Sequence, residues 1–350
     1  MTITALVSNS NDKNITDKIV KDKRQNARKR KVKYNVVSVD FKYSKATYEN
    51  VWDPTRKKPV SLINQGANCY MNAGIQSIFA PLQEIYNSQN NISIPYNCGA
   101  LILIKNLMKS YENNKSFSVR ECIYNYSNLE YFSSELSWNK QEDAHEFLNG
   151  FLNKLNTELR LMSTSVKFPF ESSHDSRFFC DNCGKSNSLE SSSLVKENVI
   201  FVDVGKNMNE MVGKSTRNKV NGFSCENCGI KGTASNIAVF SALPKFLIIC
   251  IKRFTYDNYY KSAKNSDEIE IEEFISVPLK ENNAVRYSKY ELISIVNHHG
   301  NVFGGHYNCC LKHENVWYTA NDECITESSL DQVVTSSRSS CYIQVFAKTP

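Results

Sequence analysis

The stretch LINQGANCYMNAGIQSIF, residues 62–79, decides the reading of this chain. It places Cys69 where a glycine-containing loop turns into an apolar-periodic segment. Met71, Ile75, Ile78, Phe79 and Leu82 recur at helical spacing, which predicts one helix with a buried face. Gly66 permits a sharp bend before it, and Asn68 is a favourable N-cap residue. Cys69 is then expected on the first turn, where unpaired backbone N–H groups and the helix dipole favour the thiolate, the reactive form of cysteine. A buried structural cysteine also suits this position, so the segment alone leaves both roles open.

Working outward, 350 residues suffice for one large domain or two ordinary ones, and a 41% hydrophobic content supports a core. The longest apolar run, FLIICI (246–251), is too short to span a membrane. The N-terminus lacks a basic start followed by an apolar stretch, so no secretory signal is visible. The chain is expected to be intracellular, in the cytoplasm or nucleus and off the membrane, with reduced thiols. Its twelve cysteines then read as metal ligands, nucleophile and free thiols. The net charge of +6 belongs to one segment. Residues 13–33 hold ten of the 42 Lys/Arg and two of the 36 Asp/Glu, and the remainder is nearly neutral.

Residues 1–58 read as a basic, disordered N-terminal extension. Its block Arg28, Lys29, Arg30, Lys31, Lys33 suits an import factor or a nucleic acid, or is simply a solvated tail. From 59 to about 165 the pattern is mainly helical. Ala144, Phe147, Leu148, Phe151, Leu152, Leu155 and Leu159 form a long stripe. From about 166 onward KFLIICIKRF, YELISIV, HYNCCLK, VWYTA and SCYIQVFA read as strands, and the Ser-rich SNSLESSS and TSSRSS as loops. Helices first and strands later point to an α+β protein.

Two further constellations carry chemistry. Cys180-x-x-Cys183 and Cys225-x-x-Cys228, each followed by a glycine, are two knuckles offering four sulfurs, the tetrahedral set of a closed structural zinc site. The 41 residues between them exceed a compact ribbon, so the knuckles are expected to cap neighbouring β-ribbons. A redox pair, or a site that has lost its metal, is the other reading. Near the C-terminus, His306 opens one strand-like run, and Asn321-Asp322 follow another fifteen residues on. Adjacent antiparallel strands would bring the imidazole together with the Asn321 or Asp322 side chain, giving a thiol nucleophile its base and a polar orienting partner. Among the other histidines, His145 reads as structural, and His174 and His313 as surface residues. His298 and His299 lie near His306 in sequence.

These residues resemble the ubiquitin-specific proteases, papain-like deubiquitinating enzymes. Leu62–Gln76 resembles the family's cysteine box and Gln141–Leu148 its second box; Leu243-Pro244 with Lys252-Arg253-Phe254 matches a third segment. Tyr290, His298, Gly300, Gly305-His306-Tyr307, Trp317 and Asn321-Asp322 match its histidine box, and Ser340–Phe346 its last strand. The resemblance covers about residues 60–347. It implies a papain-like fold within 59–350, with a helical thumb (about 60–165), zinc-tipped β fingers (about 170–240) and a β palm (about 240–350). It further implies Cys69 as nucleophile, His306 as base, Asn321 as third residue with Asp322 supporting or substituting for it, and Asn64 as oxyanion donor. Gln141, Asp143, His298, Gly305 and Tyr307 would meet the ubiquitin tail, Asp143 by pairing with its arginines. The loop from His298 to Gly305 resembles one that gates the tail channel.

Departures are few. Asn68 stands for the usual Thr, Ala73-Gly74 for a Ser and a bulky residue, Glu142 for a second Gln, and Ala320 for an aromatic residue. The implied activity is cleavage after the C-terminal glycine of ubiquitin through a Cys69 thioester. The alternatives are the same chemistry on a ubiquitin-like modifier, a non-catalytic ubiquitin-binding scaffold, and a zinc-knuckle nucleic-acid module. The last leaves the cysteine and histidine boxes unexplained.

Overall fold

The computed structural model describes residues 57–88, 93–125, 140–162, 167–185, 194–256, 262–281 and 284–350. The basic block and SNSLESSS (186–193) lie outside them. Helices come first: α1 (Cys69–Ser77), α2 (Phe79–Ser88), α3 (Gly99–Glu112), α4 (Val119–Asn125) and α5 (Ala144–Leu161). There follow β1 (Ser172–Cys180), β2 (Val195–Glu197), β3 (Val199–Asp203), α6 (Met208–Ser215), β4 (Arg217–Ser224), β5 (Lys231–Ala242) and β6 (Phe246–Lys252). The rest is β7 (Phe254–Tyr256), β8 (Ser262–Lys264), β9 (Phe274–Glu281), β10 (Ala284–Asn301), β11 (Gly304–His313), β12 (Val316–Asn321), β13 (Cys324–Ser328), α7 (Leu330–Ser337) and β14 (Cys341–Lys348). The fold is α+β, as the patterning indicates.

The sheet runs β13-β12-β11-β10-β9-β5-β1-β2, with β14 bridging β10 and β6, and β3 parallel to β6. Strand β6 is buried on both faces, which is why its sequence shows no polar alternation. Its Phe246, Ile248 and Cys250 join the core shared with the helices, while Leu247, Ile249 and Ile251 join a second core on the sheet's other face. All seven residues of the α5 stripe are buried.

Helix α1 differs from its expected form. All nine of its residues are buried, so it has no solvent face. It also stops at Ser77, and α2 restarts at Phe79. Pro81 lacks the N–H that would bond the Ser77 carbonyl four residues back, and the Ser294 hydroxyl donates to that carbonyl instead, at 2.6 Å. Gly74 lets α5 approach closely: a Cβ there would lie 3.2 Å from the Phe147 ring.

Other expectations are corrected by burial and capping. His313 is buried, its Nε2 2.9 Å from the Tyr111 hydroxyl. His174 is half-buried, with its ring edge-on to Phe240. The first half of TSSRSS belongs to α7, which Ser329 and Gln332 start with a reciprocal capping box. Helix α6 interrupts the strand region; Met208, Met211 and Val212 form its buried face, and the Asn207 side chain accepts from the Glu210 N–H.

Glu158, 1% exposed, links two helices that periodicity treats separately. From α5 it accepts the N–H groups of Ala100 (3.2 Å) and Leu101 (3.0 Å) at the start of α3. Burial pushes its carboxyl upward, against these amides and Lys154. Glu158→Ala orphans two buried donors and is expected to cost about 2 kcal/mol. A raised pKa means that the folded chain holds this proton more tightly than the unfolded chain. The group's contribution is therefore full below the ordinary glutamate range and declines as pH rises through the folded value. The cost of Glu158→Ala should shrink accordingly, which urea melts at acidic and neutral pH will read.

Candidate active site

Helix α1 packs on β11, whose Tyr307 N–H bears on Cys69 at the helix N-terminus. Asn68 occupies the N-cap position without capping through its side chain, contrary to expectation. Its Oδ1 accepts the Gln65 N–H at 2.8 Å, and its Nδ2 donates to the Ile63 carbonyl at 3.1 Å, so it braces the preceding loop. The first amides of the helix are thereby left to other work. Backbone N–H groups of Cys69, Tyr70 and Tyr307 all bear on the Cys69 sulfur and favour its anion. They do not prevail. Burial, with the Asp322 carboxylate adding to it, leaves the thiol above its usual range. Helix position alone therefore does not lower the thiol: burial outweighs the amides, and the sulfur needs a base to take its proton.

His306 lies on β11 beside Tyr307, and Asn321 ends β12, the antiparallel neighbour. His306 Nε2 is 2.5 Å from Asn321 Oδ1. An amide oxygen only accepts, so this contact fixes the proton on Nε2 and leaves Nδ1 as the basic nitrogen. Asp322 follows in a left-handed conformation (φ 52°) that turns its carboxylate away from the imidazole. Its Oδ2 accepts from Asn64 Nδ2 at 2.7 Å and its Oδ1 from Asn72 Nδ2 at 2.8 Å. Asn64 Oδ1 in turn accepts the Gly66 N–H at 3.0 Å, and the Asn64 backbone N–H bonds Glu323 at 2.8 Å. Both ends of the Asn64 amide are therefore fixed, with one N–H left over.

The structure shows a role for Asn72 that apolar periodicity passes over. The signal is in the sequence nevertheless: Asn64, Asn68 and Asn72 recur every four residues, and two of them lie on one helical face that is wholly buried.

The residues implied to meet the ubiquitin tail lie around this centre. Gln141 Oε1 accepts the Gly305 N–H at 2.9 Å, so these two meet across the cleft. Asp143 caps α5 through Oδ1, accepting the His145 N–H at 2.7 Å, and its Oδ2 takes the Tyr342 hydroxyl at 2.7 Å. Both its oxygens are thus engaged. His298 is buried edge-on to Phe254, and burial beside the Lys264 ammonium holds it down at about 4. The Tyr307 ring is buried, while its amide serves Cys69.

The four knuckle cysteines converge, with every Sγ within 4.8 Å of the others. Cys180 ends β1; the second knuckle forms the turn between β4 and β5. Gly184 and Gly229 adopt left-handed φ, and each donates its N–H to the first cysteine's carbonyl at 2.8 Å. Backbone amides of Asn227, Cys228 and Ile230 face the sulfurs of the second knuckle, as thiolate ligands require. Asp181, held down at about 2 by Lys219, Ser235 and Thr233, ties the first knuckle to the β4–β5 hairpin. This donor set fits one metal ion.

A helix-borne thiol beside a strand-borne His–Asn pair is the arrangement of a papain-like cysteine hydrolase. The family model described as ubiquitin carboxyl-terminal hydrolase matches residues 60–346, and the chain belongs to that family. It is 26% identical over 302 residues to the "Probable ubiquitin carboxyl-terminal hydrolase 16" of Schizosaccharomyces pombe, covering 81% of this chain and 66% of that protein. To the Arabidopsis thaliana ubiquitin carboxyl-terminal hydrolase 20 it is 26% identical over 317 residues, covering 85% of this chain and 44% of that one. The chain thus spans less than two thirds of either relative. Its fold resembles a chain of the SAGA Ubp8/Sgf11/Sus1/Sgf73 DUB module bound to ubiquitin aldehyde, with TM-score 0.65 and 22% identity, covering 85% of this chain and 71% of that one.

Proposed function

We infer that this protein is a thiol-dependent deubiquitinase, cleaving the isopeptide or peptide bond after the C-terminal glycine of ubiquitin. The 2.5 Å contact between His306 Nε2 and Asn321 Oδ1, on the strand whose next amide faces Cys69, carries the reading. His306 Nδ1 takes the thiol proton as the Cys69 sulfur bonds to the glycine carbonyl carbon. The remaining Asn64 N–H, with backbone amides at the start of α1, receives the developing oxyanion. The intermediate collapses, the C–N bond breaks, and the lysine amine leaves with the proton from His306. A water, deprotonated by His306, then attacks the thioester, releasing the ubiquitin carboxylate and restoring the thiol. Ubiquitin in the relative's structure supports the substrate class.

Cys180, Cys183, Cys225 and Cys228 hold a structural zinc in this reading, with no part in the chemistry. Purified protein should contain one equivalent of zinc. Cys180→Ser should release it and accelerate amide exchange in β4 and β5 first; a zinc-free protein with unchanged exchange contradicts the assignment.

The functional reading is tested with electrophilic probes built on ubiquitin and on two ubiquitin-like proteins, each at the C-terminal glycine. Labelling by the ubiquitin probe that Cys69→Ala abolishes is the expected result. Labelling only by another modifier moves the substrate class, and labelling by none overturns the enzyme reading.

A further inference from the structure

The hairpin of β10 and β11 carries Gly305 and His306 on its β11 arm; its strands pair up to Asn301 and Gly304, and Asn301 Oδ1 accepts the Phe303 N–H at 2.9 Å within the turn. Its backbones touch: a Cβ on Gly300 would lie 2.5 Å from the Gly304 carbonyl oxygen, and one on Gly305 2.2 Å from the His299 oxygen. A side chain at Gly300 or Gly305 is therefore excluded. Strand β14 also leaves it early. Its last pairing with β10 is Asn297 with Cys341, after which only the His298 N–H finds a partner there, the Ser340 carbonyl at 2.8 Å. The carbonyls of His298 and Gly300 project past the end of that strand.

Lys264 meets both of them. Its Nζ donates to the His298 carbonyl at 2.7 Å and to the Gly300 carbonyl at 3.2 Å. The residue ends β8, which pairs only with β7 among the described residues. That small ribbon is anchored from both sides. Phe254, which starts β7, packs its ring edge-on against His298 and Tyr342. The fully buried Arg253 binds the carbonyls of Asn265 and Asp267 at 3.0 Å each, as well as that of Cys341 at 2.6 Å. A half-buried ammonium thus takes the place of the missing strand, from a base held by a buried guanidinium. On the opposite side of the same turn, Gln141 receives the Gly305 N–H at 2.9 Å.

We propose that Lys264 is a positioning residue for the reaction: by latching the His298 and Gly300 carbonyls it fixes the hairpin that presents Gly305 and His306 to Cys69. This rests on the hydrolase reading above. The latch is cationic, and its charge helps keep the neighbouring His298 and His299 neutral. An unbranched side chain of similar length without donors should free the turn; one that keeps the charge and the donors should largely hold it.

The test compares Lys264→Met and Lys264→Arg with the unaltered chain in two measurements. One is hydrolysis of a fluorogenic ubiquitin C-terminal amide; the other is hydrogen exchange of the peptide spanning 298–307. Lys264→Met is expected to lower kcat by about tenfold through misplacement of His306, to speed exchange within 298–307 alone, and to leave the melting temperature nearly unchanged. Lys264→Arg should recover most of both. Lys264→Gln, which keeps a donor, serves if the methionine variant folds poorly, with the same expectation at smaller size. Exchange unchanged in Lys264→Met overturns the latch, whether or not activity falls. Accelerated exchange with kcat unchanged overturns the positioning role. If the unaltered chain does not hydrolyse the amide, the hydrolase reading fails, while exchange still decides the latch.

Discussion

Cys69→Ala is expected to lower turnover of a ubiquitin C-terminal amide by about 10⁵-fold while leaving ubiquitin binding intact. The size follows from what the sulfur does. In the proposed mechanism it is the atom that bonds to the carbonyl carbon, and neither the Asn64 amide nor the helix N-terminus can replace it. Binding is spared because the thiol is almost fully buried, at 2% exposure, and offers a bound protein little surface. The structure also argues against a thiol that reacts unaided. Burial and the Asp322 charge hold its proton in place, so loss of the base should be nearly as damaging as loss of the sulfur. His306→Ala is therefore expected to fall close to Cys69→Ala, and the double variant to add little, since the two act as a unit. Single-turnover kinetics with calorimetric titration of ubiquitin reads both quantities. Hydrolysis by Cys69→Ala above the buffer rate would remove the sulfur from the mechanism.

The parts legible in the sequence are those whose partners lie close in the chain or repeat with a period. FLIICI reads as a strand because both its faces are apolar. The α5 stripe reads as a helix because seven residues keep one phase. The knuckles are local, and the His306–Asn321 pair needs only one hairpin of known span. What stays hidden depends on contacts far along the chain. Glu158 looks like the polar side of a helix until α3 brings its amides to it. His313 looks exposed between Lys312 and Glu314, yet Tyr111 and Phe79 close over it. The break after Ser77 was open to inference from Pro81, but the hydroxyl that compensates for it comes from Ser294, on another strand. The resemblance names functional positions without their bonding, so it could not say whether Asp322 faces the imidazole or the asparagines.

That last point yields the second large effect. Asp322 was expected to support Asn321 or to stand in for it on His306; its carboxylate instead binds the side chains of Asn64 and Asn72. Asp322→Ala should therefore act on the oxyanion rather than on the base. Without its Oδ2, the Asn64 amide keeps only the Gly66 N–H and can swing away from the place where negative charge develops. Losing one preorganised donor typically costs 10²–10³ in kcat, about 3–4 kcal/mol, and Asp322→Ala is expected in that range with KM little altered. Asp322→Asn should recover only part, because an amide can accept from one of the two asparagines but presents N–H to the other. An independent sign separates this from a general loss of structure. The Asp322 charge is one of the influences raising the Cys69 thiol, so removing it should shift the pH profile of Cys69 alkylation downward. The thiol ionises more readily and the enzyme nevertheless turns over more slowly. A variant whose alkylation profile moves upward, or whose kcat survives, would place Asp322 outside the oxyanion support. A severe Asp322→Ala beside a mild Asn321→Ala would mean that the base needs little orientation, and that transition-state charge is the costlier thing to lose.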